Sequence, residues 1–177
     1  MPGHSVLLVP VPELESFVRE RHEFYDAAWV SADPAFTHAH ITALGPFLPK
    51  PDDAAVASVA RIAAATAPFD VALHRIDTFP NGVIHLVPEP DQPFRDLTAK
   101  LVAAFPECPP YGGQFPDTRP HLTLDRTSDH ITEASTRGLL GDLVPASFRA
   151  TRLDLAWYEA GGCRVLRSWP LGSGGPA

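Results

Sequence analysis

Apolar and polar positions change period several times along the chain, and each change marks an element. Ser5 to Val9, SVLLV, is a short unbroken apolar run behind turn-forming residues and reads as a buried strand. Between Pro12 and Ala28, Leu14, Phe17, Val18, Tyr25 and Ala28 recur at helical spacing, with proline near the start. The next strand covers about Thr37 to Leu44 and is stopped by GPF and PKP. Asp52 or Asp53 opens an alanine-rich helix to about Ala65, with Val56, Val59, Ala60 and Ala63 on one face. Phe69, Val71 and Leu73 alternate as a strand, FPNG from Phe79 to Gly82 is a turn, and Val83 to Val87 is another apolar strand. Asp91 to Phe105 is a helix with Phe94, Leu97, Leu101 and Val102 inward, and a proline- and glycine-rich loop leads to the strand His121 to Leu124. Ser128 or Asp129 caps a helix to about Leu140. Phe148 opens a strand that continues through the alternating Leu153, Leu155 and Trp157, and a last strand lies near Arg164 to Trp169.

Written as elements, each half reads strand, helix, strand, helix, strand. The middle strands carry related sequences: THAHITALGPF from Thr37 to Phe47 and RPHLTLDR from Arg119 to Arg126. Their His-x-Thr segments are 81 residues apart (121 − 40), and Phe69 and Phe148 are 79 apart (148 − 69). An offset near eighty is too long for a solenoid repeat and reads as a duplicated lobe. The expectation is one bilobal domain over 1–171, with lobes at about 5–79 and 82–158 related by a pseudo-twofold axis, and a disordered tail at 172–177. The two sheets would face each other across a cleft.

Composition narrows the chemistry. At 177 residues, 45% hydrophobic and 20% charged, the chain is a single folded domain with a real core. A net charge of −7 argues against wrapping long duplex nucleic acid, and leaves a nucleotide or a strand end as the nucleic-acid substrate it could take. Cys108 and Cys163 fit neither a disulfide framework nor a metal motif and read as free thiols in a reducing compartment. No apolar run approaches the ~20 residues of a membrane helix. The start, MPGHSVLLVPVPE, lacks the basic region and cleavage site of a signal peptide. A cytoplasmic monomer without membrane partner is the expectation.

On a strand, residues i and i+2 share a face, so His40 stands beside Thr42 and His121 beside Thr123. A pseudo-twofold axis brings the two pairs opposite one another. Displacement at a phosphodiester needs one group to take a proton from the attacking oxygen and another to give one to the leaving oxygen, and histidine does either near neutrality. The threonine hydroxyls can donate to the non-bridging oxygens. A third match, His130-Ile131-Thr132, falls in a helical context where the two side chains do not share a face, and is set aside. His38 and Arg119, each two residues before a motif histidine, face the cleft if their strands extend that far. Arg126 has the opposite parity and reaches the cleft only if its strand has ended. Tyr111, in the loop before the second motif, is placed to stack on a base, whereas His85 reads as a packed strand histidine. Two rivals stay open: a metal-dependent hydrolase built on His38 and His40 with His121 or Asp125, and a nucleotide-binding module without turnover.

The segments AHITALGPF and PPYGGQFPDTRPHLTLDR resemble the bacterial 2′-5′ RNA ligase-like branch of the two-histidine (2H) phosphoesterases, and the duplicated layout extends the resemblance over nearly the whole chain. It implies an α+β fold of two pseudo-symmetric lobes, mainly antiparallel sheet with outer helices, around a central cleft. It also implies His40 and His121 as the catalytic pair, Thr42 and Thr123 as phosphate binders, and no metal or other cofactor. The implied activity is hydrolysis of a 2′,3′-cyclic phosphate or a 2′-5′ linkage, with 2′-5′ RNA ligation as the alternative.

Overall fold

In the computed structural model, which describes residues 2–173, the apolar runs become two antiparallel sheets of four strands each. β1 (His4–Pro10) and β2 (His40–Leu44) pair with the late strands β7 (Arg152–Tyr158) and β8 (Arg164–Pro170) in the order β2-β1-β7-β8. The second sheet takes β3 (Phe69–Thr78), β4 (Val83–Glu89), β5 (Leu122–Arg126) and β6 (Ala146–Ala150) in the order β5-β4-β3-β6. Helices α1 (Glu15–Asp26), α2 (Asp53–Ala64), α3 (Gln92–Ala104) and α4 (Glu133–Leu140) complete an α+β fold of two lobes. One apolar cluster, including Leu7, Ile41, Leu73, Ile84, Leu101 and Leu153, runs through both sheets. Among the described residues no helix is long and apolar enough to cross a membrane.

The lobes are not contiguous halves. The expected limits at 5–79 and 82–158 put β3 and β4 in different lobes, yet Phe79 and Gly82 close a tight hairpin between them, with Phe79 N–H donating to Val83 and Gly82 N–H to Phe79. Gly82 sits at φ +89°, a left-handed turn position that suits glycine. A tight turn of this kind joins antiparallel neighbours, so both strands must share a sheet. The halves therefore exchange strands: the first lends β3, which lies beside β4, and the second lends β7 and β8, with β7 beside β1. The strand expected from Phe148 to Trp157 is likewise two strands. The chain breaks at Thr151, with Phe148 on β6 paired to Val71 and Leu155 on β7 paired to Leu7. Phe148 is thus a neighbour of β3, not its counterpart. Alternation has the same period in either sheet and carries no record of which one a strand joins.

The duplication is nonetheless real at the motif strands. In β2 the register steps from Leu8↔Thr42 to Leu7↔Leu44, bulging Ala43; in β5 it steps from His85↔Thr123 to Ile84↔Asp125, bulging Leu124. The two bulges follow the motif threonines at the motif offset of 81 (124 − 43). Each motif strand is also tied to a helix of the other lobe, β5 to the helix after β1 and β2 to the helix after β4. From α1, Arg21 Nη2 reaches Asp125 of β5, 3.1 and 2.9 Å from its carboxylate oxygens. From α3, the Thr98 hydroxyl donates to the bulged Ala43 carbonyl at 2.7 Å. Arg21 and Thr98 are 77 apart (98 − 21), as are Leu8 and His85 (85 − 8).

Several ends differ from expectation. The helix expected from Pro12 opens and closes as single 3-10 turns around α1. β2 starts at His40, not Thr37. α4 is capped by Thr132, whose hydroxyl accepts from Ser135 N–H while Ser135 Oγ accepts from Thr132 N–H, so His130 lies in the exposed loop before it. Of the expected tail, residues 174–177 lie outside the described residues, and Gly172 is in a turn with its N–H donating to Ala63.

Candidate active site

β2 and β5 are edge strands of their sheets, and they meet. Along β2, Ile41 and Ala43 are buried in the core while His40 and Thr42 stay half-buried at the cleft; beside β5, Leu122 and Leu124 are buried while Thr123 is exposed. The period of two has thus put both His-x-Thr pairs on the open faces of facing strands.

Each imidazole is held in the same way. His40 Nδ1 lies 2.7 Å from the His38 carbonyl, and His121 Nδ1 lies 2.8 Å from the Arg119 carbonyl. A carbonyl only accepts, so Nδ1 carries the proton in both rings and Nε2 is left with its lone pair. Burial pushes the His40 imidazole down to about 4, partly opposed by its carbonyl bond and reinforced by His22, His121 and His38. Burial also lowers His121, with His85 adding to it against the carbonyl bond. Both rings therefore favour the neutral form at neutral pH.

The other expected residues divide. His38, expected to meet substrate, is 1% exposed and uses both nitrogens internally: Nδ1 donates to Glu15 Oε1 at 2.6 Å, and Nε2 accepts from Ser31 N–H at 3.0 Å. It shapes the backbone under His40 and has no nitrogen to offer a ligand. Arg119 is exposed at the cleft wall, its guanidinium 5.8 Å from the Phe79 ring centroid. Tyr111 spans both motifs: its N–H donates to Gly45 at 2.7 Å, it lines a small cleft together with Thr42, and its ring stacks on His121 at 6.3 Å. Its backbone is left-handed at φ 52°, a conformation costing a non-glycine residue about 1–3 kcal/mol that these contacts hold in place. His85 is packed as expected, 2% exposed and stacked 3.8 Å from Phe79.

Two chambers flank the motifs and share Val83 and Thr123. One, about 430 Å³, lies beside His40 under Arg21, Tyr25, Trp29 and Arg126; the other, about 550 Å³, lies beside His121 among Phe79, Tyr111, Phe115 and Arg119. Arg126 is there because the bulge at Leu124 reverses the parity that pointed it away. Asp125, buried beneath the first chamber, accepts from Arg21, from the Tyr25 hydroxyl and from Arg126 N–H. The i, i+4 spacing of Arg21 and Tyr25 was a legible sign that they share a helix face; their common partner 100 residues on was not. Among the described residues no three His, Cys, Asp or Glu side chains gather as a metal ion requires, and Asp125 is committed to the arginine.

A family model for the 2'-5' RNA ligase superfamily matches residues 10–162. The fold is similar to the crystal structure of TT0787 of Thermus thermophilus, at TM-score 0.60 and 20% identity, covering 96% of this chain and 98% of that one. It is also similar to E. coli LigT, at 18% identity over 97% of this chain and 99% of that one, with TM-score 0.57 for the structure complexed with 3'-AMP and 0.55 for that complexed with ATP. No curated protein matches by sequence. Since the matched residues take in both motif strands and most of the chain, the protein belongs to the 2'-5' RNA ligase superfamily.

Proposed function

We propose that the protein is a phosphodiesterase acting on 2′,3′-cyclic phosphates or 2′-5′ phosphodiesters of nucleotides or RNA ends, with His40 and His121 carrying the proton transfers and no metal required. The observation that carries this reading is the matched hydrogen bonding: two imidazoles at the starts of facing edge strands, each with Nδ1 tied to the carbonyl two residues back and Nε2 left open.

The phosphate lies between the rings, and Thr42 and Thr123 donate to its non-bridging oxygens, where negative charge concentrates. For a cyclic phosphate, water attacks phosphorus as one neutral imidazole takes its proton, and the other ring, protonated, gives a proton to the departing ribose oxygen. One proton is taken and one given, so the pair ends with its charge exchanged. The depressed values of both rings mean that the anionic substrate itself favours the single proton the pair needs. The chambers on either side of the pair leave room for a nucleoside on each side of phosphorus, which supports a 2′-5′ diester as well as a cyclic phosphate. The same two transfers with a 5′-hydroxyl in the place of water, the ribose 3′-oxygen leaving, would join it to a 2′,3′-cyclic end through a 2′-5′ linkage, the ligase alternative. Crystal structures of E. coli LigT complexed with 3'-AMP, ATP and NADP+ support a nucleotide-sized ligand for this cleft. Two buried free cysteines suit a reducing cytoplasm.

The test is incubation with a panel of 2′,3′-cyclic nucleotides and 2′-5′-linked dinucleotides, with and without a chelator, reading the position of the product phosphate. Turnover that survives chelation is expected. Turnover lost under chelation and restored by a metal would turn the assignment to a metal-dependent hydrolase, and binding without turnover to a nucleotide-binding module.

A further inference from the structure

Glu15, the first residue of α1, takes no part in the proton transfers, yet its carboxylate meets the strand that carries one of them. Oε1 accepts from His38 Nδ1–H at 2.6 Å and Oε2 accepts from Ala39 N–H at 2.9 Å. Burial opposes its ionisation, but those two bonds and the nearby His38 outweigh burial and hold its carboxyl below the ordinary range. Behind it the network continues: Ser31 N–H donates to His38 Nε2, and Ser31 Oγ donates to the Cys163 carbonyl at 2.5 Å. The His38 carbonyl, fixed by this clamp on its own side chain and on the next peptide, is the acceptor for His40 Nδ1–H.

We propose that Glu15 is a positioning residue: by clamping His38 and the Ala39 peptide, it aims the His38 carbonyl and so sets the tautomer and ring orientation of His40. This rests on the reading of His40 as an acid–base residue. The alternative partner is at hand. The Tyr158 hydroxyl lies 3.4 Å from His40 Nδ1 and could donate to that nitrogen once the carbonyl swings away. His40 would then carry its proton on Nε2, the atom that has to accept one, and the ring would be the wrong tautomer for a base. The groups facing His40 are His22 from α1, His38, His121 from the other motif strand, and Tyr158 from β7. The second lobe does without such a clamp. The residue at the Glu15 place, 77 further on at the start of α3, is Gln92, which is exposed and bonds only to Asp96 in its own helix.

The substitution that tests this is Glu15→Gln. A carboxylate can accept at both oxygens, whereas the amide sets an N–H against one of the two donors. Two readouts are needed. In ¹⁵N spectra of the ligand-free protein above pH 7.5, His40 is expected to show Nδ1–H with a free Nε2 in wild type and a mixture of tautomers in the variant, with His121 unmoved. In kinetics on 2′,3′-cyclic nucleotides, kcat is expected to fall about tenfold to a hundredfold, as when the hydrogen-bond partner of a working histidine is removed, with KM changed less than threefold. A merely structural clamp would lower Tm and leave the tautomer alone. An unchanged His40 spectrum overturns the proposal, and so does a changed spectrum with kcat within twofold of wild type. If Glu15→Gln does not fold, Glu15→Asp keeps the charge but is too short to meet both donors, and the same readouts apply. Should the wild type turn over no phosphodiester, the function assigned to the cleft fails, while the spectra still decide whether Glu15 sets the tautomer.

Discussion

The two motif strands share a skeleton and differ in what holds it. Both set His and Thr on one face, both bulge at the residue after the threonine, and both tie Nδ1 to the carbonyl two residues back. Around His40 the support is polar: Glu15, His38, Ser31 and the Cys163 carbonyl form one hydrogen-bonded chain. Around His121 it is aromatic: Phe79 stacks on His85 and meets His121 edge-on at 4.9 Å, while Tyr111 covers its other side. Even the cross-ties differ, a buried ion pair from α1 to β5 against a single hydroxyl bond from α3 to β2. The proposed proton transfers constrain only the direction of Nε2. A carbonyl bond sets the tautomer, and the ring's remaining freedom can be removed by hydrogen bonds or by close-packed rings alike. Where the supporting groups are buried and polar, they must be fully paired, which is why the first support runs through four residues.

The comparison breaks most directly at the histidines. His40→Ala and His121→Ala should each lower kcat/KM by about 10²–10⁴, and the double variant by less than the product of the two, because the rings serve one transition state. If one variant keeps near-wild-type turnover, the equivalence of the motifs is wrong. Next in size is the ion pair. Arg21→Ala leaves the Asp125 carboxylate buried without its cation and should cost about 3–5 kcal/mol of stability in denaturant unfolding. The pH profile separates the rings. Protonation of the free enzyme's His40 occurs at about 4 and that of His121 below 6.5, so kcat/KM should rise through about pH 4, peak on the acid side of 6.5 and fall above it. The kcat profile should lie at higher pH, since the bound phosphate raises both values; coincident profiles would deny that the substrate holds the proton in place. Thr98→Ala, which removes the weaker cross-tie, should cost only about 1 kcal/mol. A loss as large as that for Arg21→Ala would erase the contrast between the lobes. His130→Ala should leave kcat within a few-fold of wild type, its exposed loop place being unrelated to either motif.

Both motif strands, their inward Ile41 and Leu122 and their outward threonines were legible from period-two alternation, because the pattern that buries one face of a strand also exposes the other. So were α2, α3 and the turn at Phe79 to Gly82, each announced by a local cap, face or turn signal, though not that the turn closes a hairpin. Reading that hairpin as an element boundary placed the lobe division where no division can fall. Glu15, Arg21 and Tyr25 carried no sign of their partners: each acts 23 to 104 residues away, and nothing local in a helix records what its polar side chains will meet. Arg126 was read on the wrong face because a bulge changes parity without changing composition. What the chain determined by itself is therefore most of the elements and the paired His-x-Thr segments on two of them, since these depend on neighbours within a few residues. Which strand joins which sheet, which face a bulged strand turns to the cleft and which carboxylate stands behind His40 were decided only in the folded molecule, where pairing and burial are settled between residues far apart in the chain.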